Sequence, residues 1–223
     1  KVKTNKLAIL ELYEIYTYYV LVTSFGDIPY KEALNIDVLN PIFDNQKDII
    51  YDLLVRIDTN VIDKFDTSDV GFSVSEDIVY NGDISKWKKF ANSLKLQMGV
   101  LLADVDVTKA SSVVSAAITS GVFTSADDNM KIRYDSTSPY TNPVYAALVL
   151  SGRDDFVPTA TMVNMMNSLN DPRRDDYFSL KDEAYLGAPH GVVNLYGNFS
   201  HVSEKIANEP TLDAPLMTYF EVE

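Results

Sequence analysis

Ser85-Lys86-Trp87-Lys88-Lys89-Phe90-Ala91-Asn92-Ser93-Leu94-Lys95-Leu96-Gln97-Met98-Gly99-Val100-Leu101-Leu102-Ala103-Asp104 carries the clearest periodicity in the chain. Trp87, Phe90, Ala91, Leu94, Met98, Leu101 and Leu102 recur at steps of three and four, which gathers them into one apolar stripe on an α-helix. A second stripe follows at once, capped by Asp106 or Thr108, carrying Ala110, Val113, Val114, Ala117 and Ile118, and ending at Gly121. So short a connection predicts an antiparallel helical hairpin.

Upstream, Leu7 to Val22 is apolar almost all round, broken by Glu11, Glu14 and Thr17, the pattern of a helix packed on several sides. Gly26 and Pro29 stop it, Gly by taking the left-handed position and Pro by blocking continuation. Ile50, Leu53, Leu54, Ile57, Val61 and Phe65 predict another helix from Gln46 to Phe65, capped by Asp44 or Asn45. This pair brackets the Gly26 to Asp44 loop and makes a second hairpin. The expected fold is all-α: tetratricopeptide-like helical hairpins with long structured loops, although the helices exceed standard repeat length and lack the repeat's signature residues.

After Phe123 the texture changes to loop chemistry: Asp127-Asp128-Asn129, Ser136-Thr137-Ser138-Pro139 and Gly187-Ala188-Pro189-His190-Gly191. A short helix is expected from Thr159 to Leu169, and a weak strand signal runs from Val192 to Tyr196. The division is a helical scaffold over 1–123 and a loop-rich, ligand-side region over 124–223.

The 223 residues have room for one large domain or two small ones, and an apolar share of 46% supports a sizeable core. A net charge of −13 argues against nucleic acid, which needs clustered cations; Lys86, Lys88 and Lys89 read as a solvated helix face. The acidic surface suits neutral ligands better than polyanions. With no cysteine, disulfides, thiolate nucleophiles and Cys-based zinc sites are out. The longest apolar run, Ile15 to Val22, falls far short of the ~20 residues of a membrane span. The chain opens at Lys1 with no initiator Met or signal sequence and closes in an apparent helix start at Phe220 to Glu223, as expected of a segment of a longer protein.

An ordered series of blocks resembles the SusD/RagB-type nutrient-binding lipoproteins. Phe25-Gly26-Asp27-Ile28-Pro29-Tyr30-Lys31-Glu32-Ala33-Leu34 after a long helix resembles that family's FGDIPY-x-EAL signature. Pro41-Ile42-Phe43-Asp44-Asn45-Gln46 is similar to its P-x-[FY]-D-x-Q, and Asp77 through Leu94 to its D-x-x-Y-x-G-D-x-x-K-W-x-K-F-A-N-S-L block. Arg153-Asp154-Asp155-Phe156, Asp171-Pro172-Arg173-Arg174, Tyr185 to Gly191 and Met217 to Glu223 continue the order, so the resemblance spans the chain. It implies a truncated SusD-like fold, without the family's N-terminal lipoprotein signal and C-terminal helices. It also implies an outer-membrane, cell-surface lipoprotein of Bacteroidetes-type bacteria. Such a protein captures an oligosaccharide or polysaccharide and delivers it to a SusC-like TonB-dependent transporter. Its membrane contact is through an N-terminal lipid anchor that this chain lacks. No cofactor and no metal are implied.

Candidate binding residues are Tyr30, Tyr140, Tyr177 and Tyr185. Tyr30 heads a loop that in relatives approaches the ligand face. The other three lie in loops, where a tyrosine offers a flat apolar face to a sugar's CH groups while neighbouring polar groups bond its hydroxyls. Trp87 belongs to the core stripe and is set aside. Asp171 to Asp176 reads as a turn whose arginines bond neighbouring carboxylates or carbonyls.

No catalytic residue is nominated. Gly71-Phe72-Ser73-Val74-Ser75 lacks the second glycine of a nucleophile elbow, and phosphate-binding glycine loops are absent. His190 and His201 are too few and too isolated for a metal site or triad, and Asp127-Asp128-Asn129 lacks the pattern of a calcium loop. Asn198-Phe199-Ser200 matches a glycosylation sequon that carries no information in a bacterial chain. The expectation is a binding protein, not an enzyme. The alternative is a helical-repeat interaction module that binds peptide or a partner protein without recognising glycan.

Overall fold

The computed structural model describes residues 2–153, 155–192 and 196–222. They fall into two compact units: residues 1–131 with 215–223, and residues 132–214.

In the first unit, α1 (Val2–Phe25) is followed by β1 (Ile28–Pro29), β2 (Phe43–Asp44), α2 (Gln46–Arg56), α3 (Ile84–Leu101) and α4 (Val107–Ser120). A two-stranded sheet, β3 (Met130–Ile132) with β4 (Ala214–Met217), marks where the chain leaves this unit and re-enters it. The core is one cluster that includes Leu12, Ile15, Leu53, Trp87, Phe90 and Leu94.

Helix α1 begins five residues earlier than the apolar pattern indicated. Polar Asn5 is the reason: it is fully buried, accepts from the Asp66 amide at 3.0 Å and donates to the Asp66 and Asp69 carbonyls at 3.0 and 3.2 Å. A polar residue with all its bonds made counts as core, which hydrophobic periodicity cannot register. At the other end Gly26 adopts φ +78° and its amide reaches the Val22 carbonyl at 3.0 Å, closing the helix as expected.

Asn45 caps α2, its side chain accepting from the Lys47 amide. The α-helix does not run to Phe65; it widens into a π-helical turn over Ile57–Ile62, which keeps both Ile57 and Val61 fully buried. Asp83 caps α3 by accepting from the Ser85 and Lys86 amides, and Asp106 caps α4 from the Lys109 amide.

Helix α3 is buried on most sides, and α4 folds back along it at Gly99. A Cβ there would lie 2.9 Å from Val113 Cγ1 and 3.0 Å from Val114 Cγ2, so the missing side chain sets how closely the helices meet. Two members of the expected stripes, Leu101 and Ile118, are exposed instead, 44% and 57%. Lys95, a charge on the same helix, is buried and paired with Asp58 of the π turn at 2.6 Å. The Lys86–Lys89 face is less free than expected, because Lys89 bonds the buried Asp128 at 2.9 Å and Lys86 the Asp127 carbonyl at 2.8 Å.

Trp87 is core, 1% exposed, packed edge-on against Tyr13 and Tyr80 at centroid distances of 5.3 and 5.1 Å. Its Nε1 donates to buried Asp77, which also accepts from the amides of Val79, Tyr80 and Gly82. The spaced Asp, Tyr, Gly and Trp of the Asp77–Leu94 block are therefore a single hydrogen-bonded corner.

The second unit holds α5 (Pro143–Tyr145) running into a π turn (Ala146–Leu150), then α6 (Ala160–Ser168), α7 (Arg174–Tyr177) and α8 (Glu204–Ala207). Its core cluster is small: Val163, Met166 and Phe178, with Tyr177 and Tyr185 packed against them. Helix α6 is the one expected from the sequence, with Thr159 as its cap. The anticipated Asp171–Arg174 turn is held by Arg173 on the Asp171 carboxylate at 2.6 Å and Arg174 on Asn167 at 3.0 Å. Of the weak strand signal, Val193 to Leu195 lie outside the described residues, and Tyr196 opens a 3-10 turn.

Candidate functional site

Two helices of the first unit face each other across a cleft of about 540 Å³. From α1 come Glu14 and Tyr18, and from α2 Asp52 and Arg56, each pair four residues apart and so stacked on one helix face. Tyr30 enters from the turn after β1, and Lys31, Leu34 and Asn35 from the loop beyond it.

Arg56 organises the cleft. Its Nε donates to Glu11 at 2.8 Å, Nη2 to Glu14 at 2.7 Å and Nη1 to the Tyr30 hydroxyl at 2.8 Å. Tyr30 in turn donates to the Asp52 carboxylate, while Asn60 adds a bond to Glu11 at 3.1 Å. Burial works against the Arg56 charge, but the bonds to Glu11, Tyr30 and Glu14 outweigh it and push its pKa up. Glu11 answers in kind: burial raises its pKa, and Arg56 with Asn60 overcomes that, leaving it lowered. Burial, then the bond to Asp52, pushes the Tyr30 hydroxyl up, so it stays a donor.

The FGDIPY and PIFDNQ blocks together build the loop beside this cleft. Asp27 accepts from the Gln46 amide at 2.8 Å, joining the end of α1 to the start of α2. Ile28 and Pro29 pair antiparallel with Asp44 and Phe43. Buried Asp44 accepts from the Tyr30 and Lys31 amides at 3.3 and 2.9 Å, and Glu32 accepts from the Ile42 amide at 3.0 Å. With its base tied four ways, the loop presents Leu34, Ile36 and Leu39 to solvent, 77%, 92% and 90% exposed.

The four tyrosines expected at a binding site lie in different settings. Tyr30 lines the cleft but is itself buried, its ring edge-on to Tyr18 at a centroid distance of 4.7 Å and the Arg56 guanidinium 5.9 Å from its centroid. Tyr177 and Tyr185 share the small core of the second unit, half-buried, with Arg174 5.5 Å from the Tyr185 ring. Tyr140 is 72% exposed on the turn after Ser138-Pro139, its amide bonded to the Thr137 carbonyl at 3.0 Å. Glu14, Asp52 and Arg56 were not among the expected site residues. Their signal was charge at helical spacing inside otherwise apolar stripes. Among the described residues, no group of three or more His, Asp or Glu is placed to hold a metal ion.

A SusD-like family model, described as starch-binding and associating with the outer membrane, matches residues 1–223. A SusD homolog from Bacteroides uniformis superposes with a TM-score of 0.82 at 24% identity, over 96% of this chain and 46% of that one. A SusD-like protein from Bacteroides thetaiotaomicron gives 0.76 at 27% identity, over 96% and 46%. A chitin-binding SusD homolog from Flavobacterium johnsoniae gives 0.78 at 22% identity, over 95% and 45%. The chain thus spans a little under half the length of the structures it matches. Among curated proteins, none matches it.

Proposed function

The chain belongs to the SusD-like family, and on that premise we propose that its protein captures a glycan at the outer-membrane surface and passes it to a SusC-like TonB-dependent transporter. The cleft between α1 and α2 is the observation that carries this reading. A sugar is a dense array of hydroxyls, each a donor and an acceptor. Glu14 and Asp52 offer acceptors, and Lys31 and Asn35 offer donors, on walls already held in place by Arg56. A prearranged cleft loses little side-chain entropy when it is filled. Within the second unit, and separately from this cleft, Tyr140 with its exposed ring is a candidate stacking face, and the half-buried Tyr177 and Tyr185 are further candidates.

Capture without cleavage is part of the proposal. Glu11 and Glu14 are tied to a guanidinium, and the Glu11 pKa is lowered, the opposite of what a glycosidase acid needs. Among the described residues no helix is long and apolar enough to cross a membrane. The proposed attachment is a lipid anchor.

The exposed Leu34, Ile36 and Leu39 favour a second role, protein contact, because three large apolar side chains stand in solvent on one loop held firmly at its base. That role is compatible with transporter docking and is the core of the alternative, an interaction module without glycan recognition.

Affinity electrophoresis against plant, host and microbial glycans, with the same mixtures assayed for reducing ends, tests the proposal. Retardation by one glycan class without new reducing ends is the expected result. Released ends refute the non-enzyme part, and retardation by no glycan favours the interaction module.

A further inference from the structure

The charges around the α1–α2 cleft bear on which glycans it admits. A guanidinium is the group best suited to grip a carboxylate or sulfate, through paired hydrogen bonds. Arg56 has its fork occupied by Glu11, Glu14 and the Tyr30 hydroxyl, at 2.8, 2.7 and 2.8 Å. Two carboxylates therefore already answer its one positive charge. Asp52 adds another at the cleft wall, exposed and bonded to the Tyr30 hydroxyl. The remaining cation of the cleft, Lys31, lies 3.5 Å from the Asp44 carboxylate.

We propose that this cleft selects by charge: it takes neutral or amine-bearing saccharides and turns away those that carry uronate or sulfate groups. The inference rests on the glycan-capture reading and sharpens it. A sugar hydroxyl or ammonium can donate to Glu14 and Asp52, whereas an incoming carboxylate meets those same oxygens as like charges. The chain's net charge of −13 pushes in the same direction from a distance. Salt separates the two effects, since at 1 M the screening length is ~3 Å and only contact rejection survives.

The test measures binding of matched oligosaccharides of equal length by titration calorimetry, using the full natural chain. Galactose oligomers are paired with galacturonate oligomers, and N-acetylated chitooligosaccharides with deacetylated ones, at 0.15 and 1 M salt. Wild type is compared with Asp52→Asn and Glu14→Gln. Asp52→Asn keeps an oxygen to accept the Tyr30 hydroxyl, so the wall stays in place while its charge goes. Neutral and amine-bearing oligomers should bind, with galacturonates about tenfold or more weaker even at high salt, and Asp52→Asn should narrow that gap about threefold. Galacturonates that bind wild type as tightly as their neutral counterparts overturn charge selection and leave glycan capture standing. A gap that neither substitution narrows overturns its assignment to this cleft. Binding of no oligosaccharide overturns the capture reading itself, and charge selection with it.

Discussion

Replacing Asp77 tests how the Asp77–Leu94 block holds the first unit together. Its Oδ1 accepts from the amides of Val79 and Tyr80, both at 3.0 Å, and its Oδ2 from the Gly82 amide and Trp87 Nε1, both at 2.8 Å. Val79, Tyr80 and Trp87 are 2%, 5% and 1% exposed, so water does not readily replace the lost acceptor. A buried donor left unpaired costs about 1–3 kcal/mol. Three such donors at the lower end of that range put Asp77→Ala near ~3 kcal/mol, a large part of the ~5–15 kcal/mol that holds a domain folded. Asp77→Asn is the sharper variant. It preserves volume, but one end of the amide must point an N–H at two donors, so a loss of about 2–3 kcal/mol is expected. Trp87 is the single tryptophan of the chain, and its indole bonds the residue being changed, so its fluorescence in a urea titration reports on this corner. A midpoint for Asp77→Asn that coincides with wild type, at unchanged slope, would refute the claim that both oxygens carry the corner.

Other substitutions probe different links. Gly99→Leu forces a side chain into Val113 and Val114, and a melting curve should show a loss of about 2–3 kcal/mol, with Gly99→Ala costing less. Burial raises the Asp128 pKa, but the Thr124 amide and Lys89 outweigh it and leave it lowered. Its stabilising share is therefore present above the unfolded carboxylate value near ~3.9 and drains away as pH falls through that value toward the folded one. Asp128→Asn should flatten that part of the acid limb in a stability-against-pH series. Tyr140→Ala should weaken glycan retardation while leaving the melting temperature in place, since the ring is 72% exposed. Tyr185→Ala should lower the melting temperature of the second unit, because the ring packs on Val163, Met166 and Phe178.

The helices were legible because each buries most of an apolar stripe and is punctuated by caps that act within a few residues. Asn45 and Asp106, each one of two candidates offered by the sequence, close helix starts by bonding amides two or three positions on, and Gly26 ends α1 by a local change of φ; the Asp83 cap of α3 was not singled out. The family blocks were legible for a related reason. Asp77 through Trp87 and Asp27 through Lys47 make many of their bonds within the block itself, so their spacing is nearly the structure itself.

Tertiary structure decided what depends on partners far along the chain. Asn5 is core because residues 66–70 bring carbonyls to it, and Lys95 is buried because the widened turn of α2 brings it Asp58. The candidate cleft exists because α1 and α2 align Glu11 and Glu14 with Arg56 across more than forty residues of sequence. Local propensity and periodicity act over a few residues and therefore specify helices, caps and turns. Which polar side chains find partners, and so which face becomes a cleft, depends on packing between elements. For this protein the amino-acid sequence by itself determined the family, the hairpins and their punctuation. Only the folded chain turned the charges within apolar stripes into one site.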